Sequence, residues 1–321
     1  KMLGANTNPK MTHIDGVFRE VAAEIGREQH FHPTEVSIFF GEPGKTVEDP
    51  FFGGEGPKRT GCIFCGGCML GCRHGAKNTL DKNYLYLAEK LGLEVRTETK
   101  VAAVRPLENG YEVEAKRGLR VRNETHRFTA DNVIFSAGVM GTVPLLLELK
   151  EKPDCLPKLS DRLGDHVRTN SESLIQIVSE NRENSLSEGI AISSIINTDD
   201  NSHIEPCRYS SGSGFFRLLL SPHVSGTSAA ERFVNVVKAY LTKPVRIFRA
   251  FTVPDFSRYS VTLLYMRSLD GTLKFTLGRN LHTFFRRKLT TAEGTGEKPQ
   301  ASIPEATALA RKFETKLNGI A

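Results

Sequence analysis

The sequence predicts two parts of different fold class, an α/β part followed by a β-rich part. The unbroken apolar run at residues 133–135 is typical of a buried parallel strand, and it leads through a glycine-containing turn into a Leu-rich helix ending near Leu149. Beyond residue 168 the pattern changes to short β-like runs, at residues 173–178, 189–196, 214–220 and 260–266. We therefore expect two domains, residues 1–168 and residues 169–321.

The first predicted element is a helix that begins after Thr12. Thr12 is an N-cap residue, and Asp15 three positions later completes the pattern of a capping box. Apolar residues then recur at helical spacing until Gly26 ends the helix. Residues 30–59 are rich in Gly and Pro and show no clear periodicity, and a stretch of this kind in a compact protein is often functional.

A helix and a hairpin are predicted after the Cys-rich loop at residues 62–75. Asn78 or Thr79 is placed to cap the helix, and Gly92 ends it. One face of this helix contains Leu80, Tyr84, Leu87 and Leu91. Residues 93–101 alternate in the manner of a strand, and Asn109-Gly110 is a strong hairpin turn. The closing helix presents Ala308, Leu309, Phe313 and Leu317.

Composition excludes several classes of protein. Of the 321 residues, 39% are hydrophobic and 25% are charged, which is ordinary globular usage and argues against disorder. The 43 Lys and Arg exceed the 37 Asp and Glu, but they are scattered, so we expect no nucleic-acid partner. The longest uncharged run, residues 132–147, is shorter than the roughly 20 residues of a transmembrane helix. A signal peptide is not visible either, which favours the cytoplasm, although a chain starting at Lys1 could have lost a targeting signal.

Four of the six cysteines form a motif with specific spacing. Cys62, Cys65, Cys68 and Cys72 follow the C-x2-C-x2-C-x3-C pattern of bacterial ferredoxins, except that no Pro follows the fourth Cys. The four thiols therefore predict a metal site, either an iron–sulfur cluster or a zinc ion, although so short a loop is cramped for tetrahedral zinc. A Gly-rich loop of reduced or disulfide-paired thiols is the alternative.

The turn after residues 133–135 is a candidate cofactor site. Small residues at the end of a strand let a ligand approach the backbone, and the N–H groups of the following helix favour a phosphate or another electron-rich group. The residues concerned are Ser136, Ala137, Gly138, Gly141 and Thr142. Packing alone also explains two glycines in such a turn, and the full G-x-G-x-x-G fingerprint of dinucleotide-binding proteins occurs nowhere in the chain.

Three stretches together resemble the glucose–methanol–choline (GMC) family of flavin oxidoreductases, and most closely its cholesterol-oxidase branch. They are residues 75–85, 133–142 and 156–164, which keep the order and similar gaps of the family. The resemblance is clear from about Cys62 to Arg168 and fades in the β-rich half. It implies a partial, Rossmann-like FAD-binding domain joined to a substrate domain built on an antiparallel sheet.

The resemblance also implies roles for individual residues. Val101 would meet the adenine of FAD through its backbone, and Ala137 and Gly138 would pass close to the cofactor. Glu205 falls in the region where the cholesterol-oxidase branch has a base for double-bond migration, although the local match is poor. The implied reaction is oxidation of an alcohol CH–OH group, with hydride transfer to the flavin. Its substrate would be a sterol or another bulky alcohol, and the electron acceptor O₂ or a redox carrier.

Two departures from the family pattern predict an internal fragment. The N-terminal βαβ unit with the G-x-G-x-x-G motif is missing, and so is the C-terminal segment with a catalytic His and Asn. We therefore expect negligible turnover from these 321 residues alone. Three alternatives remain open. The first two are built around the four Cys: an iron–sulfur electron-transfer protein and a flavin dehydrogenase with a Cys-ligated cluster. The third is a non-catalytic remnant that binds neither flavin nor cluster.

Overall fold

The structure is a computed structural model that describes residues 2–119, 122–268, 271–296 and 302–321. Within these residues the α-helices are α1 His13–Glu24, α2 Tyr84–Lys90, α3 Gly138–Lys150, α4 Ala229–Thr242, α5 Pro244–Thr252 and α6 Pro304–Lys316. The strands are β1 Asn6–Thr7, β2 Phe31–Pro33, β3 Glu35–Val36, β4 Thr46–Val47, β5 Arg59–Thr60, β6 Thr99–Pro106, β7 Tyr111–Leu119, β8 Arg122–Ala130, β9 Val167–Arg168, β10 Ser173–Ser179, β11 Ser194–Asn197, β12 Ser202–Cys207, β13 Ser260–Arg267, β14 Gly271–Gly278, β15 Lys288–Gly296 and β16 Gly319–Ile320.

The chain folds into two units, each made of separate segments. Unit 1 consists of Lys1–Leu93, Asn170–Ser268 and Gln300–Ala321, and unit 2 consists of Glu94–Thr169 and Leu269–Pro299. The boundary predicted between residues 168 and 169 lies beside one of the points where the chain passes from one unit to the other. The sequence did not indicate the other crossings, because a return of the chain to an earlier unit leaves no local pattern.

Unit 1 is built on a six-stranded sheet with the order β16-β10-β13-β12-β11-β2, in which every pair is antiparallel. Helices α1 and α6 pack on one face, and the rings of Phe18 and Phe313 lie with their centroids 4.4 Å apart in the core. The predicted helix at residue 12 is confirmed together with its capping box, since Asp15 Oδ2 accepts a hydrogen bond from Thr12 N at 2.8 Å.

Unit 2 contains two three-stranded antiparallel sheets, β6-β7-β8 and β15-β14-β9. The hairpin predicted at Asn109-Gly110 is confirmed as the turn between β6 and β7. The mixture of helices and antiparallel sheet is thus as expected. All pairings between the described strands are antiparallel, so the Rossmann-like arrangement stays a prediction.

The prediction of a parallel strand at residues 133–135 was wrong for the described structure. The segment belongs to no strand, and the Ile134 side chain is 86% exposed, while Val133 and Phe135 are half-buried against the core of unit 2. A strand exists only through hydrogen bonds to a neighbouring strand, and the strands of sheet β6-β7-β8 pair with one another.

Several other local expectations also need correction. Residues 214–220 contain the 3₁₀ helix Phe215–Leu219 instead of a strand, and the run at residues 189–196 forms a strand only from Ser194. The second helix begins at Tyr84, after the 3₁₀ turn Leu80–Lys82, with Asn83 as its N-cap. Helices α4 and α5 were not predicted at all.

None of the described helices is both long and apolar enough to span a bilayer.

Candidate functional site

The turn predicted to meet a cofactor lies at the start of α3 in unit 2. Gly138 has φ of +66°, a left-handed conformation that favours glycine, and a Cβ built there would meet no atom within 4 Å. A Cβ at Gly141 would instead lie 2.7 Å from the Cβ of Ala137, so this glycine lets the turn pack closely on the helix. The Thr142 hydroxyl accepts a hydrogen bond from Ala137 N at 3.0 Å.

The helix that follows this turn begins without a side-chain cap. As in every α-helix, the N–H groups of the first turn have no intrahelical acceptor, and no side-chain cap supplies one here. Ser136, Ala137 and Gly138 are all exposed. Exposed N–H groups at a helix N-terminus attract electron-rich ligands such as phosphate oxygens. The space beside Gly138 is open only because glycine has no side chain. A large cofactor can therefore lie directly against the backbone of this turn.

Val101 is placed in the same unit as the turn. It lies half-buried in β6, next to a β-bulge between Val101 and Ala103. Val101, Val133 and Phe135 pack against one small core cluster made of Ala103, Val104, Leu149 and Cys155. Val101 and the residues that lead into the turn therefore pack on the same core of unit 2.

The four cysteines of the loop at residues 62–75 line one cavity of about 180 Å³ in unit 1. Cys62 is buried, Cys65 is exposed, and the other two are half-buried. Among the described residues, however, no three His, Cys, Asp or Glu side chains are placed to hold a metal ion. The four thiols share a cavity but do not converge on one point, so in this geometry they do not fit an iron–sulfur cluster. The metal site stays a prediction.

Three of the thiols have a pKa changed by their surroundings. Burial raises the pKa of the Cys62 thiol to about 11 and also raises the pKa of Cys68. Burial would raise the pKa of Cys72 as well, but the N–H groups of the turn at residues 74–77 lower it below its ordinary value. Cys72 therefore ionises more readily than Cys62 or Cys68.

The polar block at residues 75–85 follows the cysteines and is organised by a buried arginine that the sequence did not reveal. Arg59 is fully buried and donates to Asn78 Oδ1 at 2.8 Å and to the Lys82 carbonyl at 2.6 Å. Asn78 in turn donates to the Leu3 carbonyl at 2.8 Å. The expectation that Asn78 or Thr79 caps the helix was wrong, because α2 begins only after its N-cap Asn83. The side-chain oxygen of Asn78 accepts a hydrogen bond from Arg59, which lies 19 positions away.

A second buried network, also missed, anchors α1 to the sheet. Asp15 accepts hydrogen bonds from the hydroxyls of Ser193 and Ser194 and lies 3.6 Å from the Arg208 guanidinium. Burial would raise the pKa of Asp15, but Arg208 and the hydroxyl donors hold it below its ordinary range. Arg208 also donates to Thr12 Oγ1 at 2.8 Å. Only the capping role of Asp15 was visible locally, since its other partners lie far away in sequence.

Glu205 lies on β12 in unit 1, on the face of the sheet opposite to α1 and α6. Its neighbours on that strand, Ile204 and Pro206, are buried, and the Glu205 side chain is only 14% exposed. Burial, with a smaller contribution from the charge of Glu172, raises the pKa of Glu205 to about 7. A carboxyl group with this pKa accepts and returns a proton near neutral pH.

The side chains around Glu205 form a mixed polar and apolar surface. Strand pairing places Glu205 beside Leu264, and His203 beside Met266, on the same face of the sheet. His203 Nε2 lies 3.9 Å from Glu205 Oε1, and burial lowers the pKa of His203, which favours its neutral form. The surface thus combines an apolar floor with a titratable group, which suits a bulky, largely apolar ligand.

Comparison with known proteins supports the class that the sequence predicted. Residues 57–167 match the family model "GMC oxidoreductase". The predicted resemblance to this family, whose members bind FAD, is therefore confirmed over that segment.

The relatives matched include cholesterol oxidases. The chain is 38% identical over 330 residues to a cholesterol oxidase of Acinetobacter baumannii, which covers 99% of this chain and 59% of the relative. It is also 38% identical over 335 residues to a cholesterol oxidase of Mycobacterium tuberculosis, covering 100% of this chain and 57% of the relative. The chain thus spans less than two thirds of the length of these relatives. No solved structure matches the chain.

Proposed function

We propose that this chain is part of an FAD-dependent oxidoreductase that oxidises the CH–OH group of a bulky alcohol, with a sterol as the favoured substrate. The observation that carries the proposal is the open, uncapped turn at Gly138, which lies inside the segment matched by the family model. The names of the matched relatives support a sterol substrate and O₂ as the electron acceptor. The cytoplasmic location stays a prediction.

Residues of unit 2 would hold the cofactor. Ser136, Ala137, Gly138, Gly141 and Thr142 supply the turn and the first N–H groups of α3, where an electron-rich part of FAD is stabilised. Val101 would contribute its backbone from the bulged part of β6. When bound, FAD supplies the acceptor for the hydride that leaves the carbinol carbon.

Glu205 would move a proton on the substrate. Its carboxyl group is mostly shielded from water, and its pKa of about 7 lets it act as a base and then as an acid during migration of a double bond. Leu264 and Met266 would contact the apolar body of the alcohol, since they share its face of the sheet. We keep Glu205 as the proposed catalytic residue on this basis.

Flavin retention tests the cofactor site. We expect the protein, mixed with FAD and passed through gel filtration, to keep flavin absorbance, and Gly138→Ala to bind FAD at least about tenfold more weakly. The reason is that the new Cβ fills the space against the backbone and strains a left-handed residue by about 1–2 kcal/mol.

Gly53→Ala is the matched control. Gly53 has φ of +67° and equally open surroundings, but it lies in unit 1, so it reproduces the strain without touching the proposed site. Equal loss of flavin in both variants, or no flavin retention by the unaltered protein, would contradict the proposed site. Because the predicted lack of turnover of these 321 residues stays open, retention of flavin, and not activity, is the deciding measurement.

A further inference from the structure

Helix α4 exposes its apolar side instead of burying it. Five of its large apolar residues lie within one third of the helix circumference, since they follow one another at spacings of one, three and four positions. This apolar stripe consists of Phe233, Val234, Val237, Tyr240 and Leu241, all of them exposed. Not one residue of α4 is buried.

The side of α4 opposite the stripe faces the rest of unit 1 and is half-buried, at Arg232, Asn235, Val236 and Ala239. Of these residues, Asn235 and Ala239 line a cavity of about 340 Å³ together with residues of α6, among them Thr307. An amphipathic surface helix normally packs its larger apolar side on the core and turns its polar side to water. In α4 the side with the large apolar residues is the exposed one, so its apolar stripe is available to another surface.

Helix α5 continues the stripe and anchors it. Val245 and Phe248 are exposed, whereas Ile247 and Ala250 are buried in a small core with Phe256. The buried side of α5 fixes this helix to unit 1, so its exposed apolar residues are held in place.

The stripe belongs to a positively charged stretch of the chain. Residues 228–252 contain the cations Arg232, Lys238, Lys243, Arg246 and Arg249, and a single acidic residue, Glu231. Within the part of the chain that the structure describes, Lys238, Lys243 and Arg249 form no ion pair. Apolar side chains flanked by cations are the composition of helices that lie in the plane of a membrane interface.

The apolar stripe of α4 and the exposed Val245 and Phe248 of α5 together form what we call the α4–α5 surface. We propose that the α4–α5 surface docks on anionic phospholipid, with the apolar stripe inserted among the acyl chains and the flanking cations at the phosphates. A second copy of the chain fits less well, since a symmetric contact would bring identical groups of cations together. The 14 residues of α4 are too few to cross a bilayer, so the contact is interfacial. This inference goes beyond the proposed oxidoreductase function and does not depend on it.

Vesicle sedimentation tests the proposal. We expect the protein to bind vesicles of phosphatidylcholine with about 30 mol % phosphatidylserine, and to bind pure phosphatidylcholine vesicles much more weakly. The double variant Phe233→Ser/Leu241→Ser should bind the anionic vesicles at least about tenfold more weakly, because it loses two inserted side chains. Lys238→Gln combined with Arg249→Gln should weaken binding to the anionic vesicles only.

Leu91→Ser is the matched control, since Leu91 is fully as exposed but lies outside the α4–α5 surface. Its binding should equal that of the unaltered protein. Absence of binding to the anionic vesicles, equal binding to both kinds of vesicle, or equal binding by the double variant would each overturn the proposal. Sedimentation velocity without lipid supplies the last test: a dimer that the double variant abolishes would assign the surface to a second copy.

Discussion

Helices α4 and α6 are similar in length, with 14 and 13 residues, and both are amphipathic, yet they lie on unit 1 in opposite ways. Helix α6 buries its apolar side, and Phe313 is 0% exposed against α1. Helix α4 leaves Phe233 70% exposed, and the side that it turns toward the unit mixes polar with small apolar residues. The comparison teaches that hydrophobic periodicity identifies the apolar side of a helix but not what covers it.

The two faces of the sheet show the same contrast over a single strand. Ile204 points into the core beneath α1 and α6, and the next residue, Glu205, lies on the opposite face with a raised pKa. One face stabilises the unit through apolar packing, while the other holds a carboxyl group whose burial destabilises its charged form.

Replacing Phe313 of α6 and Phe233 of α4 by Ala should show the difference between the two helices most clearly. Phe313→Ala should lower the free energy of unfolding by about 3–5 kcal/mol, because it leaves a cavity in the core between α1 and α6. Phe233→Ala should change it by less than about 0.5 kcal/mol, because the side chain has no buried contacts to lose. Urea unfolding followed by circular dichroism measures both. A large loss in Phe233→Ala would mean that α4 is packed through its apolar stripe.

Replacing Glu205 should change how the stability of the protein depends on pH. The pKa of Glu205 is raised from 4.5 to about 7, so its contribution to stability is fully present below about pH 4.5 and is lost as the pH rises through about 7. Glu205→Gln should therefore be more stable than the unaltered protein at pH 8, by up to about 3 kcal/mol, and equally stable near pH 4. Thermal unfolding across this range is the measurement.

A second readout of the same variant addresses catalysis. Since we expect negligible turnover from the 321 residues alone, this readout uses a flavin-loaded protein that also carries the segments predicted to be missing. With Glu205 as the proposed base, Glu205→Gln should stop migration of the double bond there while oxidation of the alcohol continues, and migration in the unaltered protein should rise with pH through about 7. The exposed Glu89→Gln serves as the control for both readouts. If stability of Glu205→Gln follows that of the unaltered protein at every pH, the carboxyl group is not buried as described.

Removing a helix cap should give the smallest effect. Ser228 Oγ accepts a hydrogen bond from Glu231 N at 3.1 Å, whereas α6 begins at Pro304 without a side-chain cap. Because α4 has no buried side chains, Ser228→Ala should lower its local stability by about 1 kcal/mol and speed hydrogen exchange of its amides about fivefold. Amides of α6 should exchange at unchanged rates. Faster exchange in both helices would show that they unfold as one unit.

The candidate site was partly predictable from the sequence. The turn from Ser136 to Thr142 was predicted from small residues before a helix, and Val101 and Glu205 from the family resemblance alone. The environment of Glu205 was not predictable, because its pKa depends on burial and on Glu172, which lies 33 positions earlier in the chain. The Cys spacing predicted a metal site, but spacing does not determine whether four side chains converge.

Helix α4 was missed although the sequence carries a sign of it. Ser228 and Glu231 have the spacing of a capping box, and the apolar stripe that follows has helical periodicity. Conversely, the apolar run at residues 133–135 suggested a strand, but an unbroken run states only that the segment is apolar. Whether it pairs as a strand depends on which other backbone lies beside it.

The sequence by itself determined features that depend on a few neighbouring residues: the capping box at Thr12 and Asp15 and the turn at Asn109-Gly110. It also determined most of the apolar side of α6, where Leu309, Phe313 and Leu317 are buried as predicted and only Ala308 is exposed. These form because hydrogen bonds and backbone preferences act within three or four positions of the chain. Only the tertiary structure decided which side of α4 is covered, how Arg59 and Arg208 are buried, and that Glu205 titrates near neutral pH. Each of these depends on water being excluded by groups from distant segments, and no local pattern records that exclusion.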